Sequence, residues 1–449
     1  MKKFNNSIPA RTIIYLMAAW LVLAVINISL KKAGLYVDTP SYFPISVFYG
    51  PSLHFSGIPY LLLFIAVLAY AIKLAPKFSQ YQVWCIGFLL IILGNLGQGD
   101  WDSSFNKPFY AGGSQYYSDA IKISSWSGWL ASFNADQRTL LMHSQTHPPF
   151  AVLIHYFFLS MSGNSVLFLS MIFVFLSSIS ILLLWKIFRI LSLPIENRNL
   201  LALLFSVIPA VNIYTAVSLD GLILTGATMW LLGMILLLKS GKISIAALLL
   251  ISIGIIVVNL LTYVGISLFA VASALAVWEY IVHKKFTVIA SLLISFVIFM
   301  TVMAILNSGY GYDHRYGFLT ASSIENPEGF RGFREPFTYV ATRVEDVCEI
   351  ALFLSVGLLA ILFHPKKLGI SYSDWQNREN GIMMSGICTL IVVFLFGAFH
   401  TGETARSALF IYPYIFLALR NAEPALLKNI LNIAAVQTLA MQLFGSYFW

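Results

Sequence analysis

Four short stretches of this chain hold the residue types that do chemistry, and each abuts an apolar run. The first is Gly97-Gln98-Gly99-Asp100-Trp101-Asp102, a carboxylate pair directly after the end of a hydrophobic segment. Partial withdrawal from water raises a carboxyl's pKa toward the range in which a general base works. The plainer reading is an interfacial loop with a Trp anchor. The second is Gln115-Tyr116-Tyr117-Ser118-Asp119-Ala120-Ile121, followed by Trp126, Trp129, Leu130 and Phe133 at helix-compatible spacing. This pattern predicts an amphipathic helix in the membrane interface, with Asp119 as a second carboxylate aimed into a site.

The third stretch is His143-Ser144-Gln145-Thr146-His147-Pro148-Pro149-Phe150. Two prolines keep the preceding residues extended and can open the following helix, which fixes His147 at the lip of the next apolar run with His143 four residues earlier. The fourth is His400-Thr401-Gly402-Glu403-Thr404-Ala405-Arg406-Ser407, a short turn between two apolar runs. Three residues apart, Glu403 and Arg406 share one face of a helical turn; they either pair to close the turn or present the Arg fork to a phosphate. Lesser signals are Asp220 between two apolar runs, Tyr312-Asp313-His314-Arg315-Tyr316, and Arg343 with Glu345, Asp346 and Glu349. Asp220 serves equally well as a hydrogen-bond acceptor for a polar ligand or as a turn residue. No set of further ligands beside His143 and His147 singles out a metal site, and no cofactor is implied, although a divalent cation stays open.

The elements that must position these groups are membrane helices. Of 449 residues 59% are hydrophobic and 10% charged, against about 25% charged in a soluble domain. That balance excludes a soluble globule, a disordered chain, a disulfide scaffold and a nucleic-acid-binding domain. Runs long enough for a hydrocarbon core of about 30 Å fall near 12–30, 57–76, 82–98, 164–188, 199–218, 221–238, 243–261, 263–282, 286–306, 347–364, 382–400, 406–420 and 425–446. The expectation is therefore an all-α polytopic membrane protein of about 12–13 transmembrane helices. Cys85, Cys348 and Cys388 lie in or beside apolar runs and read as buried hydrophobes. The run 12–30 reads as an uncleaved first helix.

The net charge of +8 is an orientation signal. With the N-terminus in the cytoplasm, most basic residues, among them Lys2, Lys3, Arg11, Lys73, Lys77, Lys239, Lys242, Lys284 and Lys285, fall in short inner loops. Most acidic residues then lie outside, in two long segments, 98–149 and 307–346, rich in Trp, Tyr, Phe and Gly. Loops of that length are usually functional, and these are expected to fold as an external cap with interfacial helices. No glycine-rich phosphate loop appears on the inner side, so nothing suggests ATP hydrolysis.

The order of these motifs resembles the GT-C superfamily of polytopic membrane glycosyltransferases, which includes protein O-mannosyltransferases and aminoarabinose transferases. The likeness spans roughly 82–420 and rests on Asp100 through Phe150 and on Gly402-Glu403-x-x-Arg406. It implies a GT-C-like catalytic module over 82–420, preceded by a two-helix addition at 1–81 and followed by one helix at 421–449. The resemblance further implies transfer of a sugar from a polyprenyl-phosphate donor to an acceptor hydroxyl of a glycan, lipid or protein, at the external face of a prokaryotic inner membrane. Asp100 would be the base, with Asp102 and Asp119 as the alternatives. Arg406 would stabilise the leaving phosphate, and His147, His143, Glu403, Asp220 and Arg343 would bind substrate. The competing expectations are a carrier or flippase for an amphipathic solute, and a polysaccharide polymerase or ligase.

Overall fold

A computed structural model describes residues 8–34, 53–110, 115–370, 374, 376–395, 404–445 and 447, and among them there are helices and no strand. Among the described residues six helices are long and apolar enough to cross a membrane: Ala10–Leu30, Phe55–Lys77, Val166–Ile190, Leu219–Ser240, Tyr263–His283 and Thr287–Tyr310. At about 1.5 Å per residue, lengths of 21–25 residues give roughly 30–38 Å, which matches the hydrocarbon layer. The chain is thus an all-α membrane protein.

Fewer helices than expected reach full spanning length. Gln80–Leu96, Phe150–Met161, Ile245–Leu261 and Leu409–Leu419 are apolar but shorter. The run at 199–218 breaks into Ile195–Val207 and Pro209–Tyr214, because Pro209 has no N–H to give and drives Ile208 to an extended ψ of 142°. The carbonyls freed by that break are recovered by side chains. Asn212 Nδ2 donates to Ser206 O at 3.0 Å and Thr438 Oγ1 to Val207 O at 2.6 Å. Buried backbone groups without water require such partners.

The Leu219–Ser240 helix is the centre, 83% buried over its apolar window against 6% for the first helix and 28% for Thr287–Tyr310. It packs against Val166–Ile190 on one side and Ile245–Leu261 on the other. Small residues let the second pair approach closely: a Cβ at Gly254 would stand 2.7 Å from both Gly226 O and Trp230 N. Close contact of this kind drives helix association where lipid removes the hydrophobic incentive. Gly241, at φ 63°, closes the central helix in the left-handed cap.

A buried polar chain ties the N- and C-terminal parts into the same bundle. Asn95 Nδ2 donates to Asn212 O at 2.7 Å, Gln442 Nε2 to Asn212 Oδ1 at 3.0 Å, and Gln98 Nε2 to Gln442 Oε1 at 2.7 Å. The segment expected as an external loop at 307–346 is largely helical, with His314–Glu325 and the start of Pro336–Phe353. The aromatic stretch after Gln115 forms two helices, Tyr116–Ala120 and Trp126–Asp136.

Candidate functional site

Two of the four motif stretches, the third through His147 and the fourth through Arg406, come together with Asp220 at one end of the central helix. Asp220 lies in its first turn, where Ser218 caps the helix, accepting from Asp220 N at 3.0 Å and donating to Asp220 Oδ2 at 2.7 Å. The same oxygen forms an ion pair with Arg406, whose Nε lies 3.2 Å away. Arg406 belongs to the short helix Thr404–Ser407, which is held from the other side by Pro336–Phe353. There Thr404 Oγ1 donates to Asp346 Oδ1 at 2.5 Å and Ala405 N to Glu349 Oε1 at 3.0 Å. Arg343 pairs with Asp346 at 3.0 Å, so its charge goes to anchoring this wall.

The histidines come from the loop that re-enters the bundle. His143 sits in the Met142–Gln145 turn, and Gln137 fixes the loop by donating to Gln145 O at 2.8 Å and to Gly317 O at 3.0 Å. Tyr116 packs against both rings, with centroids 5.9 Å from His143 and 5.3 Å from His147. Burial, then the Arg406 charge and His147, push the His143 pKa down to about 3. Burial also lowers the His147 pKa; Asp220, the His143 carbonyl and Glu325 oppose that shift, whereas Arg406 adds to it. Both imidazoles are therefore neutral at pH 7. His147 Nδ1 lies 3.1 Å from His143 O. A carbonyl only accepts, so this contact puts the proton on Nδ1 and leaves Nε2 as an acceptor.

The carboxylates of the first two stretches are placed differently from the expectation. Asp100 is exposed, accepts from Ser103 N at 2.8 Å, and has its pKa lowered by that bond first of all. The premise of a carboxyl raised by burial is not met there, because the Ser103 N–H holds the side chain in solvent. Asp102 is exposed as well and accepts from Tyr110 Oη at 2.9 Å. Asp119 is buried, but one oxygen takes Lys122 Nζ at 3.1 Å and the other takes Leu141 N at 3.1 Å. Its position is that of a loop clasp, in place of a carboxylate aimed into a site. Glu403 lies outside the described residues, so its pairing with Arg406 does too.

Two participants carried little signal in the sequence. Glu325, at the end of His314–Glu325, acts on His147 through space from almost two hundred residues away. Tyr116 reads in sequence as one of many interfacial aromatics, although its ring is what both histidines rest on. Among the described residues no group of three or more His, Cys, Asp or Glu is arranged to hold a metal ion. A separate polar cavity of about 260 Å³ lies at the other end of the central helix, lined among others by Lys239, Asp374, Glu379, Asn380 and Arg420.

The arrangement joins an arginine, two neutral histidines and a carboxylate at the end of a membrane helix. Such a set can hold an anionic group on Arg406 while an uncharged Nε2 accepts a proton beside it. The chain matches no family model, no curated protein and no solved structure.

Proposed function

We propose that the protein is a membrane glycosyltransferase that moves a sugar from a polyprenyl-phosphate-linked donor to an acceptor hydroxyl, at the external face of a prokaryotic inner membrane. The observation that carries this reading is that His147 and Arg406 flank Asp220, with His143 beside both, at one end of the most buried of the spanning helices. The two histidines and Arg406 each come from a motif that the resemblance to GT-C enzymes rests on. In this reading Arg406 faces the phosphate and stabilises the charge that develops as the glycosidic C–O bond breaks. His147 Nε2 takes the proton from the attacking hydroxyl, and Asp220 stabilises the imidazolium so formed. One base acting opposite the leaving phosphate inverts the anomeric centre and needs no covalent glycosyl-enzyme. Asp100, ionised and exposed beside Asp102, fits contact with the incoming acceptor better than proton abstraction.

The test is transfer in proteoliposomes with a panel of radiolabelled polyprenyl-phosphate sugars, comparing wild type with Arg406→Gln, His147→Gln and Asp100→Asn. General-base and charge-stabilising groups each contribute about 10²–10³-fold, so the first two variants lose that much and Asp100→Asn much less. Equal transfer by His147→Gln would remove His147 as the base, and no transfer with any donor would remove the reading. A carrier of an amphipathic solute is favoured by one observation, the interrupted helix at Leu354–Ser355, since transporters break helices at their sites. Accumulation of an unmodified lipid-linked sugar on the far leaflet would support that alternative.

A further inference from the structure

The helix Pro336–Phe353 has its faces reversed for an aqueous setting. Its exposed residues are Pro336, Phe337, Val340, Val344 and Val347, all apolar. Its carboxylates point inward, with Glu345, Asp346 and Glu349 each 1% exposed. At about 100° per residue the valine stripe and the carboxylate stripe lie on nearly opposite sides. A surface helix in water has the reverse arrangement, with apolar residues toward the core and charges outward.

We propose that Pro336 to Leu362 crosses the membrane as one interrupted segment, and that the stripe Phe337, Val340, Val344 and Val347 is covered by the acyl chains of the bilayer. The lengths fit: 18 residues before the break and 7 after it give about 27 Å and about 10 Å of helix, enough for a core of about 30 Å. The break is sealed as hydrocarbon depth requires. Ser355 takes φ 91°, which ends the first helix. Gln437 then donates to Leu352 O at 2.7 Å and accepts from Val356 N at 2.8 Å. One amide thereby satisfies Val356 N, which water would otherwise serve, and adds a second donor to Leu352 O beside Ser355 N at 3.1 Å. The second half, Val356–Leu362, packs against both Pro424–Phe444 and the first helix. That first helix is apolar and outward-facing, with Ile14, Leu21 and Val25 more than half exposed. The valine stripe therefore continues a surface already made for lipid.

Hydropathy alone finds the run at 347–364 and passes over 336–346, because Arg343, Glu345 and Asp346 dilute it. Charges at membrane depth are tolerated when they face the protein interior and pair there: Asp346 pairs with Arg343 and accepts from Thr404, and Glu349 accepts from Ala405 N. The consequence is that the Arg406 wall stands behind a lipid-facing helix.

Nitroxide labelling of the full chain in phosphatidylethanolamine–phosphatidylglycerol vesicles tests this. Single cysteines Val340→Cys, Val344→Cys and Val347→Cys are placed in a Cys85→Ser, Cys348→Ala, Cys388→Ser background, with Glu335→Cys as an exposed control. The expected result is collision with oxygen several-fold over a water-soluble nickel chelate at the three valines, and the opposite at Glu335. Preference for nickel at Val344 and Val347 overturns the proposal in favour of water. Low collision with both overturns it in favour of a protein partner or a second copy. The unsubstituted chain gives an independent readout: a lipid with a diazirine in its acyl chain should label peptides within 336–347. Labelling of Thr287–Tyr310 without labelling of 336–347 overturns the proposal equally.

Discussion

Removing the Asp220 carboxylate tests whether the site is one electrostatic unit. Arg406 Nε stands 3.2 Å from Asp220 Oδ2, and both side chains are 17% exposed. Coulomb attraction at that distance is about 5 kcal/mol at an effective dielectric of about 20. Each charge has also lost most of its water, which offsets a large part of that sum. A coupling of about 1–3 kcal/mol is left, within the range found for residues in one network. Thermal unfolding in detergent of Asp220→Asn, Arg406→Gln and the double variant closes the cycle. The double variant should be less damaged than the sum of the singles, because each single change strands a partly buried partner. In the transfer assay the singles should likewise each cost nearly as much as the pair, as groups that act together do. If the single effects add to within about 0.3 kcal/mol, the ion pair is not a unit and the argument for a common site fails.

Three further outcomes follow from the geometry. An unfolded histidine takes up its proton near pH 6.5 whereas His143 in the fold does so only at about pH 3; stability is thus complete above pH 6.5 and lost as pH falls toward 3. Melting curves of His143→Gln from pH 7 to pH 4 should accordingly show a shallower acid loss than wild type, and an unchanged slope would contradict the assignment. Gly254→Ala places a Cβ 2.7 Å from Gly226 O and Trp230 N; overpacking of this kind costs about 1–3 kcal/mol, read as a lowered melting temperature. Gln437→Leu leaves Val356 N at the helix break without its 2.8 Å acceptor and Leu352 O with Ser355 N as its remaining donor. The loss should be about 1–3 kcal/mol; equal stability of wild type and Gln437→Leu would refute the sealing role.

What the sequence determined by itself was the membrane class and the apolar helices, because a hydrocarbon environment imposes length and composition on each segment locally. Residues 166–190 and 287–310 are legible for that reason. So were the motifs: His143, His147 and Arg406 stand out by type and spacing, and Asp220 by lying between two apolar runs. Interruptions were harder to see. Pro209 does mark its break, but the one at Ser355 depends on Gln437, which lies 81 residues away and carries no local sign. The charged segment at 336–346 read as loop for a similar reason, since composition counts Arg343, Glu345 and Asp346 without knowing which way they point. Only the tertiary structure decided which carboxylate pairs with Arg406 and lies close enough for its charge to act on His147. Asp100 and Asp119 had the more suggestive neighbours in sequence, yet Ser103 holds one in solvent and Lys122 with Leu141 ties off the other. Asp220 takes the place because helix packing carries it to Arg406 across 186 residues, and proximity of that kind is set by the bundle as a whole.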